Sequence, residues 1–133
     1  MQFHWHSPSE HQINGRNLDL ELHIVHANTD QSGRLAVSGL LFKVEPLLLV
    51  DIFDQLNLVP DSEPHLFRFP WYLKNKLAYH YEGSLTTPPC NEIVDWFVYT
   101  EVFPISKKNF DRLKKFINGG RSNSRSVQRL NGR

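Results

Sequence analysis

Leu18-Asp19-Leu20-Glu21-Leu22-His23-Ile24-Val25-His26 alternates residue by residue, with Leu18, Leu20, Leu22 and Ile24 on one side and Asp19, Glu21, His23 and Val25 on the other. A period of two marks a β-strand, because successive side chains leave opposite faces of a pleated backbone. Toward the N-terminus, Gln2–His6 alternates in the same way, with Phe3 and Trp5 opposed to Gln2, His4 and His6. Asn14-Gly15 lies between the two segments and is a strong turn signal, so the spacing predicts that they pair antiparallel. Toward the C-terminus, Arg34–Val44 is rich in β-branched and apolar residues and reads as a further strand. Pro46 suits the first turn of a helix over Leu47–Leu56. Asp61–Pro70 reads as loop, with a short extended piece at Leu66–Phe69. Ala78–Tyr81 and Glu92–Thr100 are predicted strands on either side of a loop shaped by Pro88-Pro89, since consecutive prolines cannot donate ladder bonds. Ser106 caps a predicted helix that turns Phe110, Leu113, Phe116 and Ile117 to one face and ends near Gly119. The expected fold is mainly β, a twisted and mostly antiparallel sheet with a few short helices.

Length and composition narrow the class. The chain has 133 residues, of which 40% are hydrophobic, and it carries nine Phe, three Trp and four Tyr. That is enough for one domain over residues 1–133 with a real core, and too aromatic for a disordered chain. The longest apolar run is Leu47–Val50, so no membrane span is expected. Met1-Gln2-Phe3-His4 has neither the basic nor the apolar stretch of a secretory leader. A single cysteine, Cys90, excludes an internal disulfide framework and any multi-cysteine metal knot. Fifteen Lys and Arg balance fourteen Asp and Glu, although residues 106–133 hold nine basic side chains and one acid, Asp111. No aromatic residue follows Phe116 to stack on bases, so this basic stretch is read as a solvated helix face and polar terminus, with no nucleic-acid partner.

Three of the seven histidines form a pattern that chemistry can use. His4 and His6 are two apart on one strand and project from one face; His23 lies on the matching face of the next. Three imidazoles with a fourth position open for water are one arrangement of catalytic zinc. Gln2 precedes His4 by two residues and Glu21 precedes His23 by two, where each could accept the second ring N–H of a ligating imidazole. Two metalloenzyme readings compete here. His4-x-His6-x-x-x-Glu10 resembles the first metal motif of cupins, which bind iron or manganese. A second cupin motif is missing, since His65 and His80 lack the spacing.

The second reading explains more of the chain. Gln2-Phe3-His4-Trp5-His6-Ser7-Pro8-Ser9-Glu10-His11 resembles the first zinc strand of the alpha-class carbonic anhydrases and the turn after it. Glu21–His26 resembles the strand bearing that family's third zinc ligand, and Arg34–Gly39 the strand that lines its substrate pocket. Gly83-Ser84-Leu85-Thr86-Thr87-Pro88-Pro89-Cys90 resembles its most diagnostic loop, followed by Val94-Asp95-Trp96. Asn123-Ser124-Arg125 and Gln128 weakly resemble a segment near the family's C-terminal end.

The resemblance implies reversible zinc-dependent hydration of carbon dioxide to bicarbonate and a proton. His4, His6 and His23 would hold Zn2+, with Gln2, Glu21 and the carbonyl of Asn123 orienting them. Thr86 would accept a hydrogen bond from zinc-bound hydroxide and donate its own proton to Glu10. Val25, Val37, Leu85, Val94 and Trp96 would form the apolar pocket for carbon dioxide, with Thr87 at its edge; read alone, Val25, Val37 and Trp96 look like core. Sulfonamide-type inhibitors are expected to bind.

Departures from the family pattern carry expectations too. Set against the family, the chain reads as about half the usual catalytic domain, lacking its N-terminal portion and the histidine there that assists proton release. His11, His26, His65 and His80 remain as stand-ins, with His11 and His26 expected to make structural hydrogen bonds. Cys90 falls where extracellular members place half of a disulfide, which implies a secreted or periplasmic parent. The truncated sheet would expose its edges, which a homodimer would cover. A zinc-binding module without turnover is the rival reading, although inactive relatives tend to lose a zinc histidine and this chain has all three, with Thr86 and Glu10.

Overall fold

The computed structural model describes residues 2–27, 32–51, 53–54, 76–129 and 131–132. Strands β1 (Gln2–His6), β4 (Leu20–Ala27), β5 (Leu35–Glu45), β7 (Val94–Ser106) and β6 (Ala78–Gly83) lie side by side in that order. All neighbours run antiparallel except β5 and β7, which are parallel. The architecture is the mainly β, mostly antiparallel sheet expected, with a helix, α1 (Lys107–Phe116), a 3₁₀ turn at Asn118–Gly120 and helical residues at Phe53 and Asp54.

The alternation centred on Glu21 becomes two buried faces. Leu20, Leu22 and Ile24 enter a core with Leu40, Phe42, Phe103 and Ile105, closed by Leu113 of α1 and Ile117 at its C-terminal cap. Ser106 caps α1 by accepting from the Asn109 N–H, and its own N–H donates to the buried carboxylate of Asp51. The helix stripe is narrower than predicted: Leu113 and Ile117 are buried, whereas Phe116 lies at its rim, 58% exposed. The opposite face carries a second cluster of Val37, Leu41, Val94, Trp96 and Val98. Consecutive Leu40 and Leu41 serve one core each by the ordinary alternation of the pleat, which β5 keeps across the register shift between Gly39 and Leu41; the extra residues fall on β7, between Val98 and Val102.

Three expectations are corrected. Asn14 and Gly15 do form a turn, both at positive φ, but it closes a separate small hairpin of β2 (Gln12–Ile13) and β3 (Arg16–Asn17). β1 and β4 pair antiparallel across that insertion. Leu18 is not part of β4: the Ser9 N–H and hydroxyl hold its carbonyl and N–H, and it packs on the second cluster. Leu47–Val50 is turn and bend, the Leu48 N–H reaching back to the Glu45 carbonyl, and only Phe53 and Asp54 of the predicted helix are described as helical. Residues 52 and 55–56 of that helix, and the predicted loop and extended piece within 61–70, lie outside the described residues. No helix among the described residues is long and apolar enough to cross a membrane.

Candidate metal centre

Antiparallel pairing sets His4 directly opposite His23 and His6 opposite Glu21. Because parity is conserved across a register, the three imidazoles meet on one face, with ring centroids 5.0 Å (His4–His6), 5.2 Å (His4–His23) and 4.5 Å (His6–His23) apart. Each offers a nitrogen within 4.8 Å of the others, a spacing able to hold a metal ion.

Hydrogen bonds decide which nitrogen is free. His6 Nδ1–H donates to the Asn123 carbonyl at 3.2 Å, leaving Nε2 buried without a hydrogen-bond partner among the described residues. His23 Nε2–H donates to Glu21 Oε1 at 2.9 Å, leaving Nδ1 with the lone pair. Burial, reinforced by the neighbouring His23 and His6, lowers the pKa of His4 to about 4. Burial and His23 likewise lower that of His6, against the opposing pull of Glu10 and the Asn123 carbonyl. The half-buried His4 and the buried His6, thus kept neutral beside the His23 lone pair, are the kind of nitrogen donor that zinc prefers.

Glu21 is fully buried yet ionised. Burial alone would raise its pKa, but hydrogen bonds from His11 and His23 prevail and hold the carboxyl well below the usual carboxylate range. Its Oε1 accepts from His11 Nδ1 (2.5 Å) as well as His23, and its Oε2 from the N–H groups of Glu10 (2.8 Å) and His11 (2.9 Å). With Nδ1 committed to Glu21, His11 Nε2 accepts from the Tyr81 hydroxyl at 2.6 Å. The indole of Trp96 packs against His23 at 4.7 Å and His11 at 4.9 Å and stacks on Tyr81 at 6.2 Å. Gly39 leaves the space for Glu21: a Cβ there would lie 2.9 Å from Oε1.

Glu10 is buried at the edge of the centre. Its Oε1 accepts from the Arg125 N–H at 2.8 Å, and its Oε2 has no hydrogen-bond partner among the described residues. Glu10 and Thr86 line one cleft of about 460 Å³ with His11, Tyr81 and Arg125, and no hydrogen bond joins Thr86 to Glu10 there. Of the remaining expected residues, Val37, Val94 and Trp96 are buried on the histidine face, and Val25 and Leu85 pack against them. Thr87 is exposed beside Thr86. Gln2 shares the parity of His4 but lies exposed opposite Val25, and no hydrogen bond links it to His4 among the described residues. His26 sits 3.5 Å from the Ser38 hydroxyl and His80 3.7 Å from Asp95, while His65 falls outside the described residues.

Tyr81 and Arg125 enter the site without having been singled out for it. Tyr81 had one signal, a position on the strand that pairs with Trp96. Arg125 had only its place in the weakly matching Asn123-Ser124-Arg125 segment, since its contacts to Glu10 and Ser84 bridge 115 and 41 residues.

All residues, 1–133, match the family model described as eukaryotic-type carbonic anhydrase. The chain is 41% identical over 143 residues to alpha carbonic anhydrase 4 of Arabidopsis thaliana, covering 100% of this chain and 51% of that protein. It is 34% identical over 142 residues to dioscorin dioA3 of Dioscorea japonica, covering 99% and 51%. Among solved structures, the alpha carbonic anhydrase of Aspergillus oryzae aligns with a TM-score of 0.78 at 31% identity, over 98% of this chain and 58% of the other. That of Thermovibrio ammonificans, solved with the inhibitor sulfanilamide, aligns with a TM-score of 0.76 at 37% identity, over 97% and 58%. The chain therefore spans about half the length of the curated relatives it matches. A family match that leaves no residue uncovered, joined to a sheet that follows solved members, places the protein in the eukaryotic-type, or alpha, carbonic anhydrase family.

Proposed function

We propose that the chain carries a zinc centre for the reversible hydration of carbon dioxide, with His4, His6 and His23 as ligands. The observation that supports this most directly is the buried, unpartnered His6 Nε2 facing an imidazole whose own N–H is committed to Glu21. Zinc held there supplies Lewis acidity, bringing the pKa of water to about 7 so that hydroxide is available at neutral pH. The protein's part is orientation. Arg125 occupies Glu10 Oε1 and leaves Oε2 as an acceptor. A Thr86 hydroxyl that donates across the shared cleft to Oε2 has only a lone pair left for the nucleophile, which fixes the direction of attack. Val25, Val37, Leu85, Val94 and Trp96 offer carbon dioxide, small and apolar, a wall that does not compete for hydrogen bonds. Sulfonamides would bind this centre, an expectation in keeping with the Thermovibrio enzyme's complex with the inhibitor sulfanilamide.

The test is elemental analysis for zinc together with stopped-flow hydration of carbon dioxide, on this chain and on His23→Ala. One zinc per chain, sulfonamide-sensitive hydration and loss of both in the variant are expected. Stoichiometric zinc without hydration would instead establish a zinc-binding module, a reading favoured by the absence of a Thr86–Glu10 hydrogen bond among the described residues. Iron or manganese in place of zinc would overturn both.

A further inference from the structure

We propose that Asn123 and Arg125 form a positioning strap that holds the imidazole of His6, the carboxylate of Glu10 and the loop bearing Thr86 in one frame. The inference rests on the zinc-centre reading and adds to it two side chains that touch neither metal nor substrate.

Among the described residues β1 pairs with β4 alone, so the main-chain groups of Trp5 and Ser7 on its other side need partners. The carboxamide of Asn123 supplies both. Its Nδ2 donates to the Trp5 carbonyl at 2.8 Å, and its Oδ1 accepts from the Ser7 N–H at 3.0 Å. A peptide group of a neighbouring strand would offer the same donor and acceptor. The residue between those two contacts is His6, whose Nδ1–H donates to the carbonyl of that same Asn123. Side chain and main chain of one residue therefore fix both the backbone and the ring of one ligand.

Two residues on, Arg125 repeats the arrangement on different partners. Its N–H holds Glu10 Oε1 at 2.8 Å, while its guanidinium donates to the Ser84 hydroxyl at 3.3 Å and approaches the Leu85 carbonyl at 3.5 Å. Ser84 and Leu85 lead directly into Thr86, and the Ser84 carbonyl is pinned from its other side by the Trp96 indole N–H at 3.1 Å. The distance between Glu10 and Thr86 is thus governed by a segment more than a hundred residues from the first and about forty from the second.

The two side chains act on different quantities, which makes the proposal testable on the full chain with Asn123→Ala and Arg125→Ala. Asn123→Ala is expected to weaken zinc affinity, measured by chelator competition, about tenfold, the effect typical of a lost support behind a ligating histidine. In the zinc-free chain it should also speed amide exchange at Ser7 about tenfold. Arg125→Ala is expected to leave zinc affinity within about twofold, because its contacts do not reach a ligand. It should speed exchange of the Leu85 amide, which bonds the Asn91 carbonyl across the loop, and lower kcat/KM about tenfold, with Arg125→Lys recovering part of the loss. Should Asn123→Ala fail to fold, Asn123→Asp keeps the acceptor for Ser7 but sets a charged acceptor in place of the donor to the Trp5 carbonyl; it is expected to weaken zinc about tenfold. Unchanged zinc affinity in both Asn123 variants, unchanged Leu85 exchange in Arg125→Ala, or identical losses from Asn123→Ala and Arg125→Ala would each overturn the strap. A parent chain that binds zinc without hydrating carbon dioxide would count against the catalytic reading alone, because zinc affinity and amide exchange involve no turnover.

Discussion

Glu21 accepts four hydrogen bonds in a site that water does not reach, and two of the donors are imidazoles. Glu21→Gln replaces one acceptor oxygen by a donor facing donors. It is expected to cost about 3 kcal/mol in urea unfolding, the scale of a broken buried pair, and to weaken zinc at least about tenfold in chelator competition. The imidazoles set the pH response of the metal-free chain. His4 titrates near 6.5 when unfolded and at about 4 when folded, and His6 is lowered in the same direction. Between these values the unfolded chain binds more protons. The contribution of both histidines is therefore whole above about 6.5 and falls away as pH drops toward about 4. Glu21, depressed in the folded chain, adds a further loss below its ordinary value of 4.5. Urea unfolding of the zinc-free chain from about pH 7 to about pH 4 should show stability declining throughout, and a flat profile would contradict the buried, neutral state assigned to the histidines. The three histidines and Glu21 are legible in the sequence because pleat parity is local: two positions along a strand return to the same face. Gln2 obeys the same parity but sits where the edge of the sheet meets solvent, and parity says nothing about exposure.

At the scale of elements, β5 matters by what it omits. Gly39 lies opposite His23, and its missing side chain is the room into which the Glu21 carboxylate fits. Gly39→Ala is expected to destabilise by about 2 kcal/mol through overpacking and also to weaken zinc, although a Cβ at 39 would meet Glu21, Val98 and His11 and none of the three proposed ligands. Gly15→Ala is the useful contrast. Nothing lies within 4 Å of a Cβ there, and only its positive φ resists substitution, so about 1 kcal/mol is lost in the same urea experiment with no change in zinc affinity. The turn at Asn14-Gly15 was readable because positive φ is a local demand. Which strands it joins was not, since Ser9 draws Leu18 out of the ladder and inserts a second hairpin. The parallel pairing of β5 with β7 and the reach of Arg125 to Glu10 were equally hidden. Both depend on the path of segments separated by tens of residues, for which no short-range pattern exists.

Across the whole molecule, one sheet separates an aliphatic and aromatic core under α1 from the face that carries His4, His6 and His23. The two faces are coupled by stability. Zinc bridging β1 and β4 at a concentration a thousandfold above its dissociation constant should add about 4 kcal/mol, raising the melting temperature by about 10 °C in calorimetry. Chelator should reverse the gain, and His23→Ala should show none. The parallel strand pair has another consequence, one of time. His4, His6 and His23 lie within twenty residues of one another and meet through a near-neighbour pairing, whereas Val37 meets Trp96 only after a loop of some sixty residues has closed. Close partners find each other sooner than distant ones, because the chain surrenders less freedom in bringing them together. On that ordering the imidazoles assemble first and the wall that shields them arrives afterwards, so a metal taken up by these histidines would meet them while they still lie open.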